Sequence, residues 1–482
     1  MNIYDWKTED AARDHVKVYT DQYEELLDDP DVEAVIIALP LWLHHPAAIQ
    51  AMRKGKHVLT EKLMAKTVTE CKEMGRVAEA EGKLLATGHQ RHYSILYANA
   101  VDQIRRGLLG DLHHIRAQWH RGNRPGSDSW RPPLPEPKDF SLRDFELALN
   151  EARKSGDKAA ERALLAAHPL YAKLRSWNGR LKKAEKEGNI SDAEIWSKRV
   201  NQLQKQLDDK VLAETVEKYG YQGKTLPSGY HYSPLEELIR WRLWDRTGAG
   251  LMAELGSHQL DAASIFVSSQ RDDGEKVYPL RVQGMSARSI FPEDREVDDH
   301  VHCNFEFPAK GYYEDFESGK VADPEKKIVV SYSSINGNGF GGYGEVVLGT
   351  KGTLILEKEK DVLLYKGSDA NSKIEVKASD GAAVMDSYET GGGAAVAVEA
   401  TPKDVSRGYR EEIEHWAWCI RNPAPENQPK CKPKVALADA VIALTSNIAM
   451  AESRVVDFKK EWFDLKSDET PDGSKPKQAS EV

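Results

Sequence analysis

The sequence predicts an α/β chain: a doubly wound, Rossmann-type parallel sheet, incomplete at its start, then an α+β domain with an open, mainly antiparallel sheet, and an inserted helical hairpin. Three observations predict it. Short β-branched runs alternate with helical patterns over the first hundred residues, the order of a parallel sheet with crossover helices. Beyond residue 104, strand-like segments follow one another across polar or glycine-rich breaks, as in an antiparallel sheet. Within that second part lies a stretch dense in Lys, Glu, Ala and Leu with helical spacing.

In chain order, VEAVIIALP is a β-branched run that suits a strand buried on both faces of a parallel sheet. The helix PAAIQAMRKGK, the strand HVLT, a helix from Val68 to Glu81 and the strand KLLATG follow, giving a partial Rossmann domain over 1–103. The second domain takes 104–131 and 230–455. Its strands are RGLLGDLHHIRAQWHRG, VYPLRVQGMSARS, DDHVHCNFEFP, KIVVSYSSI, YGEVVLGTKGTLILE and DVLLYKG, and two helices, Tyr409 to Arg421 and Val435 to Arg454, complete it. The charged insertion over 132–229 carries Leu170, Leu174, Trp177 and Leu181, then Trp196, Val200, Leu203 and Leu207, at alternating four and three spacing. Gly188 and Asn189 separate two helices, with Ser191 and Glu194 as a capping box for the second. The tail 466–482 lacks apolar residues and is expected to be disordered.

The bulk properties exclude several classes. A chain of 482 residues exceeds one typical core. Its net charge of -10 disfavours non-specific attraction to nucleic acid or anionic membranes, so neither is expected as a partner. Cys71, Cys303, Cys419 and Cys431 show no metal-ligand spacing, and His300 with His302 lack a third ligand, so no metal site is expected. No apolar run approaches the roughly 20 residues that span a bilayer. MNIYDWKTED has no signal-peptide core, so the chain reads as cytoplasmic, unless an absent start carried an export signal.

Three stretches carry chemistry. Ala38 to Met64 ends a strand in a loop, then a helix, then a strand closing on Glu61 and Lys62, which places two ionisable groups at the sheet's carboxyl edge. In TGAGLMAELGSHQLDAASIF, a helix would set Glu254, His258 and Asp261 on one face, with the imidazole between two carboxylates and its proton affinity raised. Asp5, at a strand end before a helix, suits the carboxylate that accepts hydrogen bonds from the ribose of a dinucleotide.

These stretches together resemble the Gfo/Idh/MocA family of sugar and cyclitol oxidoreductases, over residues 1 to about 130 and about 230 to 455. Glu61, Lys62 and Leu63 resemble its EKP motif, which implies Lys62 as an active-site amine. Gly248 through Asp261 resembles the GGGxLxDxGxHxxD stretch, with Ala249 for the middle glycine and Glu254 for the aspartate, and His258 matches the catalytic histidine. The resemblance further implies cofactor contacts from Pro40 and His44 (the PxxxH loop), Glu61, Lys62, Gln90 near the nicotinamide, and Trp241 with Arg242. Among substrate contacts it implies Lys62 and His258, and the shared helix face adds Asp261.

No GxGxxG precedes Asp5; roughly 30 residues are missing by the usual length of such a unit, and a truncated start is the expectation. The implied activity is hydride transfer between a secondary alcohol of a sugar or polyol and NAD. NAD is favoured over NADP because Asp5 would repel a 2′-phosphate. Lys62 would polarise the oxygen, His258 would take its proton and Glu254 would orient His258. Glycoside cleavage with tightly bound NAD and a non-catalytic sugar-binding scaffold are the alternatives. A small carbohydrate partner and a homodimer or homotetramer are expected.

Overall fold

The computed structural model describes residues 15–19, 22–208, 215–271, 273–366, 373–379, 382–385 and 406–482. They fall into two compact units, one of residues 1–125, 245–292 and 297–482, the other of 126–244 with 293–296.

The first unit opens with three parallel strands, β1 (Ala34–Ile37), β2 (His57–Thr60) and β3 (Leu85–Thr87), in that spatial order. Helix α1 (Tyr23–Asp28) precedes β1, and α2 (His44–Arg53) and α3 (Val68–Ala80) make the crossovers. The sequence starts α3 where it does because Thr67 and Glu70 cap each other reciprocally, Thr67 Oγ1 accepting from the Glu70 N–H at 3.1 Å and Glu70 Oε2 from the Thr67 N–H at 3.0 Å. One expectation for β1 fails. Ile36 is 51% exposed, because among the described residues β1 pairs with β2 alone and lacks cover on one face.

After α4 (Ile95–Arg105) the chain builds a ten-stranded sheet. Its strands are β4 (Leu112–His120), β5 (Arg281–Ala287), β6 (His300–Pro308), β7 (Lys327–Ile335), β8 (Tyr343–Gly349), β9 (Gly352–Glu357), β10 (Asp361–Lys366), β11 (Lys373–Ser379), β12 (Ala382–Met385) and β13 (Val456–Asp457). The spatial order is β12-β11-β10-β9-β8-β4-β7-β6-β5-β13, antiparallel throughout except for β4 beside β7. Alternation fixes its inner face: Val301, Cys303, Phe305 and Phe307 of β6 are buried. That face is covered by α5 (Ser257–Ser268), packed on β4 and β8, and by α7 (Pro433–Ala451), packed on β5. Helix α6 (Tyr409–Arg421) precedes α7, which also reaches α3 and β3 and so joins both sheets.

By length and composition α7 is apolar enough to cross a membrane, contrary to the expectation that no run approaches that length; 67% of its apolar window is buried inside the fold, as a central core helix requires.

The tail also departs from expectation. Residues 466–482 have almost no apolar contacts to make, and polar groups of α3 order them instead. Lys72 Nζ donates to the carbonyls of Glu461, Ser467 and Glu469 at 2.8, 3.0 and 2.7 Å. The Arg76 guanidinium donates to the carbonyls of Leu465, Ser467 and Lys477 at 2.9, 3.0 and 3.1 Å and to the Asp468 carboxylate at 2.8 Å.

The second unit contains the expected hairpin, helices Pro169–Lys186 and Ile190–Asp208, seamed by Leu170, Leu174 and Leu203. It also contains helices Leu142–Lys154 and Lys158–Ala167, which add Phe145 and Leu149 against Tyr171. The capping box at Ser191 and Glu194 is not formed. The helix starts at Ile190, two residues earlier than a cap at Ser191 would place it, and Asn189 Oδ1 accepts from the Asp192 N–H at 3.2 Å.

Candidate active site

The carboxyl ends of β1 and β2 and the start of α5 set the chemistry. Pro40, three residues past the end of β1, leads into the turn Leu41–Leu43, which delivers His44 to the first turn of α2. The His44 ring lies 2.9 Å from the Leu63 carbonyl at Nδ1 and 2.9 Å from the Leu39 carbonyl at Nε2, and is fully buried. It therefore sits between the loop after β1 and the loop after β2, in contact with both. Glu61 follows β2 directly and accepts the Lys62 N–H at 3.2 Å. The Lys62–Leu63 peptide, where the family pattern has proline, is cis, and the Leu63 side chain is buried.

Almost two hundred residues later, Ala249 and Gly250 both take left-handed backbone angles, φ +55° and +72°. This is the physical demand behind a run of glycines, and Ala249 meets it at a cost of about 1–2 kcal/mol. The turn opens into a π-helical segment, Met252–Gly256, before α5 begins. The extra residue in that turn rotates Glu254 relative to His258 and Asp261.

The result is one site with altered pairings. Lys62 Nζ donates to the Glu254 backbone carbonyl and stands 3.5 Å from the Glu254 carboxylate and from the Ala253 carbonyl. Lys62 and the segment leading into α5 thus meet in space. Glu254 holds Lys62.

His258 lies in the next turn, its ring 5.5 Å from Trp119 and 6.3 Å from His89. Its pKa is pushed well below the ordinary histidine value, mainly by burial and then by the positive charges of Lys62 and Arg91, which outweigh the attraction of Asp261. The expected rise in proton affinity is thereby reversed. Trp119 stacks on Tyr343 at 4.5 Å and 19°, giving an aromatic platform beside His258.

Asp261 is engaged by neighbouring side chains. Its carboxylate is 1% exposed and turned away to His92 Nε2 at 2.9 Å, Lys276 Nζ at 3.3 Å and His89 Nδ1 at 3.6 Å. Lys276 also pairs with the buried Asp439. Asp261 is held below the usual carboxylate range by His92 and Lys276 against the opposing cost of burial, while burial and the charge of Asp261 push Asp439 up. Ligand atoms of His89, Cys431 and Asp439, and of His92, Asp261 and Asp439, lie within 4.8 Å of one another. A metal there would have to displace the Lys276 ammonium.

Gln90 is buried, with Nε2 donating to Tyr409 Oη at 3.2 Å and its amide oxygen lacking a hydrogen-bond partner. Trp241 and Arg242 belong to the second unit, where the Arg242 guanidinium lies 4.2 Å over the Trp241 ring. Asp5 lies outside the described residues. Sequence reasoning missed His89, which lies one residue before Gln90, and also His92, Lys276, Asp439 and Trp119. Only the two histidines carried a signal, their place in GHQRHY.

Residues 3–89 match the oxidoreductase family with an NAD-binding Rossmann fold, GFO_IDH_MocA. A scyllo-inositol 2-dehydrogenase (NADP(+)) of Bacillus subtilis is 29% identical over 126 residues, 26% of this chain and 35% of that protein. A 1,5-anhydro-D-fructose reductase of Ensifer adhaerens is 38% identical over 87 residues, 18% of this chain and 26% of that protein. A glycosyl hydrolase family 109 protein of Shewanella baltica is 33% identical over 121 residues, 23% and 26% of the two chains. The matched segments cover roughly a quarter to two fifths of the curated relatives' own lengths. A levoglucosan dehydrogenase in complex with NADH shares the fold, with a TM-score of 0.54 over 93% of this chain and 86% of its own at 15% identity.

Proposed function

We propose, from the premise that the chain belongs to the Gfo/Idh/MocA oxidoreductase family by its NAD-binding segment, that it transfers a hydride between a secondary alcohol of a sugar or cyclitol and a nicotinamide. The observation that carries the proposal is the convergence of Lys62 and His258 beside the Trp119–Tyr343 platform. Aromatic faces of this kind suit the C–H face of a sugar ring.

The nicotinamide, when bound, supplies the hydride acceptor or donor at C4. The residues fit it on one count: Gln90 has a buried amide oxygen without a donor, complementary to a carboxamide N–H. Lys62, held by Glu254, donates to the substrate oxygen and stabilises its developing negative charge. His258, neutral at pH 7 because its pKa is low, takes the hydroxyl proton without first losing one of its own. Asp5 supports NAD over NADP by charge, although one relative is named for NADP(+). The open face of the large sheet would carry a homodimer or homotetramer, checked by light scattering.

The test is turnover of the full-length protein against a panel of sugars and polyols with NAD or NADP. Lys62→Met and His258→Ala are each expected to lower turnover by about a hundredfold or more with cofactor affinity little changed. Asp5→Ala is expected to weaken NAD and admit NADP. Near-full activity of His258→Ala would remove it as proton acceptor. The relative named for glycoside hydrolysis supports a second reading, cleavage through transient oxidation. Product formation without net NAD consumption would select it.

A further inference from the structure

A cavity of about 430 Å³ lies away from Lys62 and His258, between the end of α4, the end of α5, the loop before β5 and the start of α7. Its lining includes Arg105, Lys276, Lys430, Lys432 and Lys434, against Glu275 and Glu426. Part of this charge is already spent. Lys434 pairs with Glu275, and Lys276 with Asp261 and Asp439. Lys430 Nζ donates to the His92 carbonyl at 3.0 Å and lies 4.8 Å over the Tyr93 ring, contacts that leave its charge uncancelled. Arg105, Lys430 and Lys432 thus stand against Glu426 alone, a local excess of two positive charges on a chain whose net charge is -10. A concave, cationic pocket on an acidic protein concentrates anions there specifically.

We propose that this cavity binds the phosphate monoester of a small organic molecule. The charge excess matches a dianion, and guanidinium and ammonium groups recognise phosphate oxygens by charge-assisted hydrogen bonds. The volume exceeds what a bare phosphate fills, and Val101, Ile265, Tyr278 and Pro429 offer an apolar wall for the organic part. The cavity also shares a wall with the catalytic region. His92 and Lys276 line it, both hold Asp261, and Asp261 lies 3.6 Å from His89, whose ring faces His258. An occupant is therefore placed to shift the carboxylate that sits behind the catalytic histidine.

The test is calorimetric titration of the full-length protein with inorganic phosphate and with a sugar phosphate, at ionic strength matched by sodium chloride. The wild type is expected to bind the sugar phosphate saturably and more tightly than inorganic phosphate. Arg105→Gln combined with Lys432→Gln is expected to weaken both by about tenfold or more. Both positions are surface side chains, so circular dichroism confirming the fold keeps the comparison valid. Binding of inorganic phosphate but not of the sugar phosphate would overturn the monoester as the occupant. Heats no greater than those of sodium chloride, or equal affinity in the variant, would overturn the proposal. Because neither variant residue belongs to the hydride-transfer site, that site's failure would leave this result unchanged.

Discussion

His89 offers a way to measure the buried charge network behind His258. Its imidazole is fully buried and titrates at about 3, because desolvation outweighs the attraction of Asp261. In the unfolded chain a histidine titrates near 6.5. Between those values the unfolded chain carries a proton that the folded chain does not, so stability falls as pH falls, by about 1.36 kcal/mol per pH unit. The contribution is complete above pH 6.5 and is lost on the way down toward pH 3. From pH 6.5 to 5.0 the loss is about 2 kcal/mol. His89→Gln removes the titration while keeping a polar side chain. Urea unfolding of both proteins at pH 7.5 and 5.0 gives the four free energies needed. The wild type is expected to lose about 2 kcal/mol more than the variant on acidification, since the other titrating groups are common to both and cancel. Equal losses would refute a neutral, desolvated His89.

Three further outcomes follow from contacts already described. Arg76→Met removes the guanidinium that gathers the tail carbonyls, so about 3 kcal/mol or more of local stability is expected to go, read as faster amide exchange and proteolysis over residues 465–477; an unchanged cleavage rate would contradict the clamp. Thr67→Ala breaks the reciprocal cap of α3 and is expected to cost about 1 kcal/mol in thermal or urea unfolding, with no gain on adding Glu70→Ala beyond a few tenths. Asn189→Ala is expected to cost a similar amount in the second unit, whereas Ser191→Ala costs little, the reverse of what a capping box at Ser191 would give.

The elements were legible wherever period and punctuation agreed. The runs of β1, β6 and β7 lie where the sequence puts them, whereas YGEVVLGTKGTLILE, read as one segment, is split into β8 and β9 by the turn at Thr350 and Lys351. Lys62 and His258 were singled out because motif residues cluster locally, and the fold brings Lys62 against the segment that leads into the His258 helix. Their partners were not. A π-helical turn changes which side chains share a face, and nothing in the residue spacing announces the inserted residue or the Lys62–Glu254 pairing that goes with it. Lys276 and Asp439 belong to separate elements without any motif, and only tertiary packing makes them one network with Asp261. The tail misled because low hydrophobicity argues for disorder only when no buried donor waits for its carbonyls.

The grip of Lys72 and Arg76 on residues 461–477 has a bearing on synthesis. The two side chains emerge nearly 390 positions before the carbonyls that satisfy them, an interval of about 20–80 s at ordinary ribosome speeds of 5–20 residues/s. Throughout it, α3 carries an arginine and a lysine with no carbonyls to receive their protons, so water or a chaperone must solvate them. The three-stranded sheet is in this sense made early and finished late, and a nascent chain stalled before residue 461 should be recognisable by a helix that is formed but still reactive toward probes of its two cations.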